Sequence, residues 1–273
     1  MTTSIKVILV IILIIIVLIA SFVVGALYSK QIFADELTYI FEESNRSVKI
    51  AHLSDLHYPF DCGKLTEIIE SINLFNPDYI FLTGDIVDVR ASALDFLNLT
   101  PFLEKLVTIA SVFAVSGNHE VANAQFYIFK ETLKDTGIVF LDNEISQIQI
   151  RDQNFLIVGL ADNCSFESID LQNLNLLTPL LILSHRPFIY NIPCSVSANA
   201  VVFSGHTHGG IIRLFNRGIV SPNGELFPKY TAGLYMSNSQ KSILIVSAGL
   251  GIGNKKLPRF FNRFHLPLVS LIY

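Results

Sequence analysis

Five of the seven histidines stand in short polar clusters, each placed directly after an apolar run. In chain order the clusters are Ser54-Asp55-Leu56-His57, Gly84-Asp85-Ile86-Val87-Asp88, Gly117-Asn118-His119-Glu120, Ser184-His185-Arg186 and Gly205-His206-Thr207-His208-Gly209-Gly210. Taken singly they carry little weight: Asp-x-His arises by chance about 0.3 times in a chain of this length, at roughly 5% Asp and 2% His. All five in one order are not a chance assembly. Together they offer carboxylate and carboxamide oxygens alongside imidazole nitrogens. That mixed set suits a pair of first-row transition ions, Mn²⁺, Fe²⁺/Fe³⁺ or Zn²⁺, and disfavours Mg²⁺ or Ca²⁺, which take all-oxygen shells.

The elements that must position these clusters are legible as an alternation of short apolar strands and amphipathic helices. Strands are predicted at Val48–Leu53, Tyr79–Leu82 and Ser111–Val115. Helices are predicted over Lys64–Phe75, stopped by Asn76-Pro77, over Ala93–Leu106, where Pro101 should kink or divide it, and over Asn123–Thr136, ended by Gly137. The second half reads as mostly strands: Phe155–Leu160, Leu180–Leu183, Ala200–Phe203, Ile211–Phe215 and Ser242–Ser247, with a hairpin turn near Asn238-Ser239. This order implies two sheets packed face to face with helices outside. Ligands of open α/β sheets bind beyond the carboxyl ends of strands, so five post-strand loops would converge on one rim.

From Val7 to Ser29 the chain is uncharged for 23 residues. As a helix that run reaches about 34 Å, enough to cross a hydrocarbon core of roughly 30 Å, and it exceeds the apolar core of about 7–15 residues in a cleaved signal. Residues 1–29 are therefore read as a single-pass membrane anchor, 30–47 as a polar, acidic stalk that is partly helical at most, and 48–273 as the catalytic domain. Positive charges near the span are close to balanced, with Lys6 on one side and Lys30 and Arg46 on the other. With no second span in the sequence, the domain is expected on the extracytoplasmic side. From His185 onward nine Lys or Arg face a single acid, Glu225. Such a basic third attracts phosphate or an anionic membrane surface. Cys62, Cys164 and Cys194 lack metal-type spacing and are read as buried thiols.

The clusters resemble those of the calcineurin-like metallophosphoesterase superfamily from about Lys49 through Gly210, with looser similarity to about Phe261. Within it the chain looks most like the bacterial membrane-associated phosphodiesterases. These carry a hydrophobic amino-terminal segment, the Gly-His-Thr-His-Gly-Gly motif and a late Ser-x-Gly-Leu-Gly segment, here Ser247-Ala248-Gly249-Leu250-Gly251. The resemblance implies a four-layer α/β/β/α sandwich, preceded here by one transmembrane helix. It also implies that Asp55, His57 and His208 hold one metal, that Asn118, His185 and His206 hold the other, and that Asp85 bridges both. The bridged water, ionised near neutral pH, would attack phosphorus in line. His119 would protonate the leaving group and Asp88 would orient His119.

Glu120 is read as bracing its loop, His52 as packing within its strand, His265 as surface or membrane-proximal, and Asp162 and Asn163 as a plain turn. Gly205, Gly209 and Gly210 are read as providing tight turns. The chain departs from such relatives at Ile211 and Ala248, where they commonly carry Gln and Arg, and at its end, where Arg263-Phe264-His265-Leu266-Pro267 replaces a Pro-Glu pair. The expected substrate is a lipid-linked or envelope-derived phosphoester, with no nucleic acid as partner. A phosphomonoesterase or nucleotide hydrolase with the same site is the enzymatic alternative, and a non-catalytic scaffold the alternative outside enzymes. A nuclease is disfavoured, because the chain has basic residues but neither an extra domain nor an aromatic–basic binding stripe.

Overall fold

Runs that are apolar on both faces form strands covered on both sides, and two six-stranded sheets result. The first sheet has the order β1 (Ile32–Ile40), β14 (Phe264–Ile272), β2 (Ser47–Leu53), β3 (Tyr79–Thr83), β4 (Ser111–Val115) and β5 (Val139–Phe140). The second runs β12 (Gly233–Met236), β13 (Ser242–Val246), β9 (Ala200–Ser204), β8 (Leu180–Ser184), β7 (Gln153–Leu160) and β6 (Glu144–Ile150). A two-stranded ribbon pairs β10 (Arg213–Leu214) with β11 (Arg217–Gly218). This computed structural model describes residues 3–41, 46–60, 64–150, 153–162, 164, 169, 178–187, 200–214, 217–237, 242–252 and 258–273.

Period-two alternation assigns the layers. Val48 and Ile50 of β2, Phe81 of β3, Phe155 and Ile157 of β7 and Phe203 of β9 face one another between the sheets. Ala51, Leu53, Ile80 and Leu82 face the other way, onto α2 (Leu65–Phe75), α3 (Ala93–Ile109) and α5 (Phe126–Asp135). Leu156, Val158, Ile182 and Val202 line the outer face of the second sheet, packed against Ile145, Tyr230 and Tyr235. The α/β class with two facing sheets holds. The helical layer expected over that outer face is not among the described residues.

The predicted helices form, with shifted ends. α2 buries Ile68, Ile72 and Phe75. α3 starts at a capping box in which Ser92 and Asp95 exchange hydrogen bonds, and it continues through Pro101 as one element. Pro101 and Leu97, whose carbonyl loses its donor, both lie on the exposed face, where water can satisfy that oxygen. The third predicted helix starts later, at Phe126, and is preceded by a separate short turn of helix, α4 (Asn118–Ala122).

Three expectations are corrected. The segment read as a stalk contains β1, which pairs in parallel with β14 over nine residues. Phe33, Leu37 and Tyr39 alternate inward, but Asp35 interrupts the apolar face and hides the pattern in sequence; its carboxylate is 3.1 Å from His265 Nε2. His265 is accordingly buried, at 4% exposure, and its Nδ1 accepts from Ala248 N–H at 3.0 Å. Pro267 argues against a central strand, yet pairing of β14 with β2 begins one residue later, at Leu268. Of the expected buried thiols, Cys164 is exposed. Cys62, Cys194, Asn163 and the turn at Asn238-Ser239 lie outside the described residues. Ahead of both sheets stands α1 (Thr3–Ser29), whose apolar side chains are almost all exposed and whose span Ile5–Ser29 is long and apolar enough to cross a membrane.

Candidate metal centre

Strands β2, β3 and β4 are mutually parallel, as are β7, β8, β9 and β13. Each polar cluster therefore leaves the carboxyl end of a strand. The loops are cross-braced by their own backbones: Asp55 N–H donates to Gly84 O at 3.0 Å, His57 N–H to Asp85 O at 2.9 Å, and Gly205 N–H to His185 O at 3.0 Å. Asp55, His57, Asp85, His206 and His208 all have positive φ, from 48° to 70°. Non-glycine residues hold that conformation only where the surroundings over-determine it, at about 1–3 kcal/mol each. Close approach needs glycine at two of the junctions. A Cβ on Gly205 would meet Ser54 Oγ and Asp55 Oδ2, and one on Gly117 would meet Asp85.

The side chains of all five clusters meet. Donor atoms of Asp55, His57 and His208 lie within 4.8 Å of one another, as do those of Asp85, His185 and His206, and those of His57, Asp88 and His119. Asn118 Oδ1 is 3.1 Å from His185 Nε2, which adds the carboxamide to the second group. Asp85 sits between the groups. Its Oδ1 accepts His119 N–H at 2.7 Å, and its Oδ2 is 3.3 Å from His185 Nε2, 3.8 Å from His57 Nε2 and 3.9 Å from His119 Nε2. A single oxygen, Oδ2, thus faces nitrogens of both groups.

The donor set fits cations. His57 Nε2 and His208 Nε2 face each other at 3.1 Å, and His185 Nε2 and His206 Nδ1 do so at 3.1 Å. Two imidazole nitrogens that close share at most one proton, so at least one lone pair in each pair is directed at the common space. Burial disfavours charge on the rings. It lowers His57 and His206 to about 4, and His208 well below the usual value, leaving neutral nitrogen donors. Burial likewise raises the Asp55 carboxyl to about 6. Burial also opposes charge on Asp85 and His185, but their mutual attraction prevails. The Asp85 carboxyl is held far below the ordinary range and His185 is raised to about 10. A proton drawn onto His185 by Asp85 marks a place where positive charge is stabilised, and a cation can fill it.

Residues 48–210 match the family model described as calcineurin-like phosphoesterase. The chain belongs to that family. Phosphodiesterase YaeI of Escherichia coli (strain K12) is 32% identical over 183 residues, which cover 64% of this chain and 65% of that protein. An uncharacterized metallophosphoesterase, YkuE of Bacillus subtilis (strain 168), is 29% identical, with 81% and 76% covered. A Danio rerio transmembrane protein with metallophosphoesterase domain is 27% identical over 77% of this chain but only 50% of its own length. The family match and the clustered His and Asp donors support a metal-dependent phosphoester hydrolase, and the match spans 65% of the first of these relatives' length.

Around the cluster the family member has supports, some foreseen and some not. Buried Glu120 accepts from the backbone N–H groups of Asp85 (2.7 Å), Val87 (3.0 Å) and Gly117 (2.8 Å), tying two loops together. Burial and then the neighbouring Asp85 charge raise its carboxyl to about 7. His52 packs edge-on against Phe203, with Nε2 2.8 Å from Thr83 Oγ1. Asp88 does not bond His119: it lies 3.6 Å from Nδ1 and accepts instead from Arg90 Nε at 2.7 Å, while Val89 N–H donates to His119 Nδ1 at 3.2 Å.

Sequence reasoning missed the Asp162–Arg186 pair and Arg259. Asp162, read as a turn residue, is buried and accepts from Arg186 Nε and Nη2 at 2.8 and 3.1 Å; Arg186 Nη1 lies 3.0 Å from His206 Nε2. Arg259 reaches Ala248 O at 2.5 Å and comes within 3.4 Å of His208 Nδ1. It thus brings a guanidinium beside Ala248, a position where the resembling phosphodiesterases carry arginine. The local signals were faint, since Arg186 adjoins a motif but Arg259 follows no pattern.

Proposed function

We propose that the chain is a membrane-anchored phosphodiesterase with a two-metal centre, acting on an anionic phosphoester of lipid or envelope origin from the extracytoplasmic side. The observation that carries this reading is the convergence of five distant loops on one buried cluster of facing imidazoles around Asp85 Oδ2. The choice of diester over monoester leans on the relative named a phosphodiesterase. The membrane reading leans on α1 and on the transmembrane relative, and the anionic substrate on the basic carboxyl-terminal third.

In this reading Asp55, His57 and His208 would hold one ion and Asn118, His185 and His206 the other, with Asp85 common to both groups. When bound, two such cations lower the pKa of a shared water toward neutrality and draw charge from the phosphoryl oxygens. The protein's own groups do the remaining work. His119 presents Nε2 toward Asp85 and delivers a proton to the leaving oxygen. For that delivery the ring must already carry a proton on each nitrogen, with Nδ1–H facing the Asp88 carboxylate 3.6 Å away instead of accepting from Val89 N–H. Arg186, held by Asp162, keeps His206 in place and presents positive charge at the rim.

The test compares bis-p-nitrophenyl phosphate with p-nitrophenyl phosphate, both with Mn²⁺ supplied after chelation. We expect turnover to vanish on chelation, to return with the metal, and to favour the diester. Clear preference for the monoester would replace this reading with the phosphomonoesterase. A chain that binds no metal and turns over neither compound would be a scaffold.

A further inference from the structure

A cavity of about 430 Å³ opens at the foot of α1, walled by Tyr28, Phe33, Asp35, Arg213, Arg263 and His265. Among the described residues none of the metal-type donors lines it, so it is separate from the reacting centre. Its size is that of a small-ligand site. Arg263 lies over the ring of Phe33 at 4.0 Å and that of Tyr28 at 4.9 Å, contacts that hold the guanidinium in place. Arg213 donates from Nη1 to Gly209 O at 3.0 Å. Asp35, the one carboxylate among the described residues of the wall, is engaged by His265 Nε2 at 3.1 Å. Two guanidiniums with aromatic walls select an anion that carries an organic group.

The depth of this cavity is set by α1. Tyr28 is the last aromatic of the apolar span and Lys30 follows it, the pair of residue types that settle at the headgroup layer. The helix is docked on the domain. Phe22 stacks on Phe260 at 5.8 Å, Gly25 lies so close to that ring that a Cβ would clash, and Ser29 Oγ accepts Asn262 N–H at 3.1 Å. Asn262 in turn donates from Nδ2 to His208 O at 2.7 Å. The cavity therefore keeps a fixed height relative to the span and a fixed relation to the metal-type cluster.

We propose that the cavity is an accessory site for the phosphate headgroup of an anionic phospholipid, with Arg213 and Arg263 as its charge partners. Lipid chains would then lie along the exposed apolar face of α1. This rests on α1 being a membrane span.

The full-length protein in neutral detergent would be titrated with phosphatidylglycerol, with phosphatidylcholine and with soluble glycerol phosphate, bound ligand being counted by native mass spectrometry. We expect one phosphatidylglycerol held at least about tenfold more tightly than either comparison ligand. Arg263→Gln should lower that affinity about tenfold, while Lys229→Gln, a charge loss away from the cavity, should not change it. Equal binding of phosphatidylcholine, or no effect of Arg263→Gln, overturns the proposal. Equal binding of glycerol phosphate makes this a site for soluble phosphate instead. The wild-type ligand comparison decides the matter even if the variant does not fold. Carbonate washing of membranes tests the span separately. Release of the chain overturns the span and the lipid site with it, whereas loss of lipid preference in a retained chain overturns the lipid site alone.

Discussion

Asp85 Oδ2 lies within 4 Å of three imidazole nitrogens, so Asp85→Asn removes shared charge while keeping volume. Activity should fall at least about 10²–10³-fold, the usual cost of losing one preorganised electrostatic group, with circular dichroism unchanged. Full activity in a folded, metal-loaded variant would refute the sharing. His119→Gln separates proton delivery from everything else. With an alkyl leaving group, kcat should drop about 10²–10⁴-fold. With p-nitrophenolate, which leaves readily without a proton, the drop should be much smaller. A uniform loss across leaving groups would instead assign His119 to binding or to metal retention.

Strand β2 carries His52 between the sheets, edge-on to Phe203. Burial, reinforced by His265, lowers it to about 3. In the unfolded chain it titrates near 6.5, so between those values the unfolded state binds more protons. Stability is therefore full above about 6.5 and is lost as pH falls toward 3. Chemical denaturation at pH 7 and pH 4 should show on the order of 3 kcal/mol from this group, a loss that His52→Gln does not suffer. Parallel curves for the two proteins would mean that His52 takes up its proton without unfolding. The same strand shows why β14 is needed: it pairs with β2 on one side and β1 on the other.

That arrangement bears on where the catalytic body begins. Starting the chain at Val48, the boundary drawn from sequence, strips β1 from β14 and leaves a nine-residue edge exposed. Such a chain should aggregate, whereas one starting at Gln31 keeps the edge covered and should give the higher soluble yield by size exclusion. Equal yields would show β1 to be dispensable. Removing α1 also uncovers Phe260, so mild detergent should help the longer version.

Much of this protein was legible before any fold was known, because its chemistry is local in sequence. A ligand-bearing loop after a buried strand needs an apolar run, a turn and a donor, and each of the five clusters spells that out in a few residues. The apolar length of α1 and the helical spacing of Ile68, Ile72 and Phe75 are local in the same sense. What was hidden depends on partners far along the chain. Asp35 made β1 read as stalk, because its partner His265 lies 230 residues away. Arg259 carries no motif, and its place beside His208 comes from a contact across 51 residues. Pairing of this kind leaves no spacing to read: a polar group withdrawn from water is tolerated only once its hydrogen-bond partner arrives, and it is the folding of the chain that brings the two together.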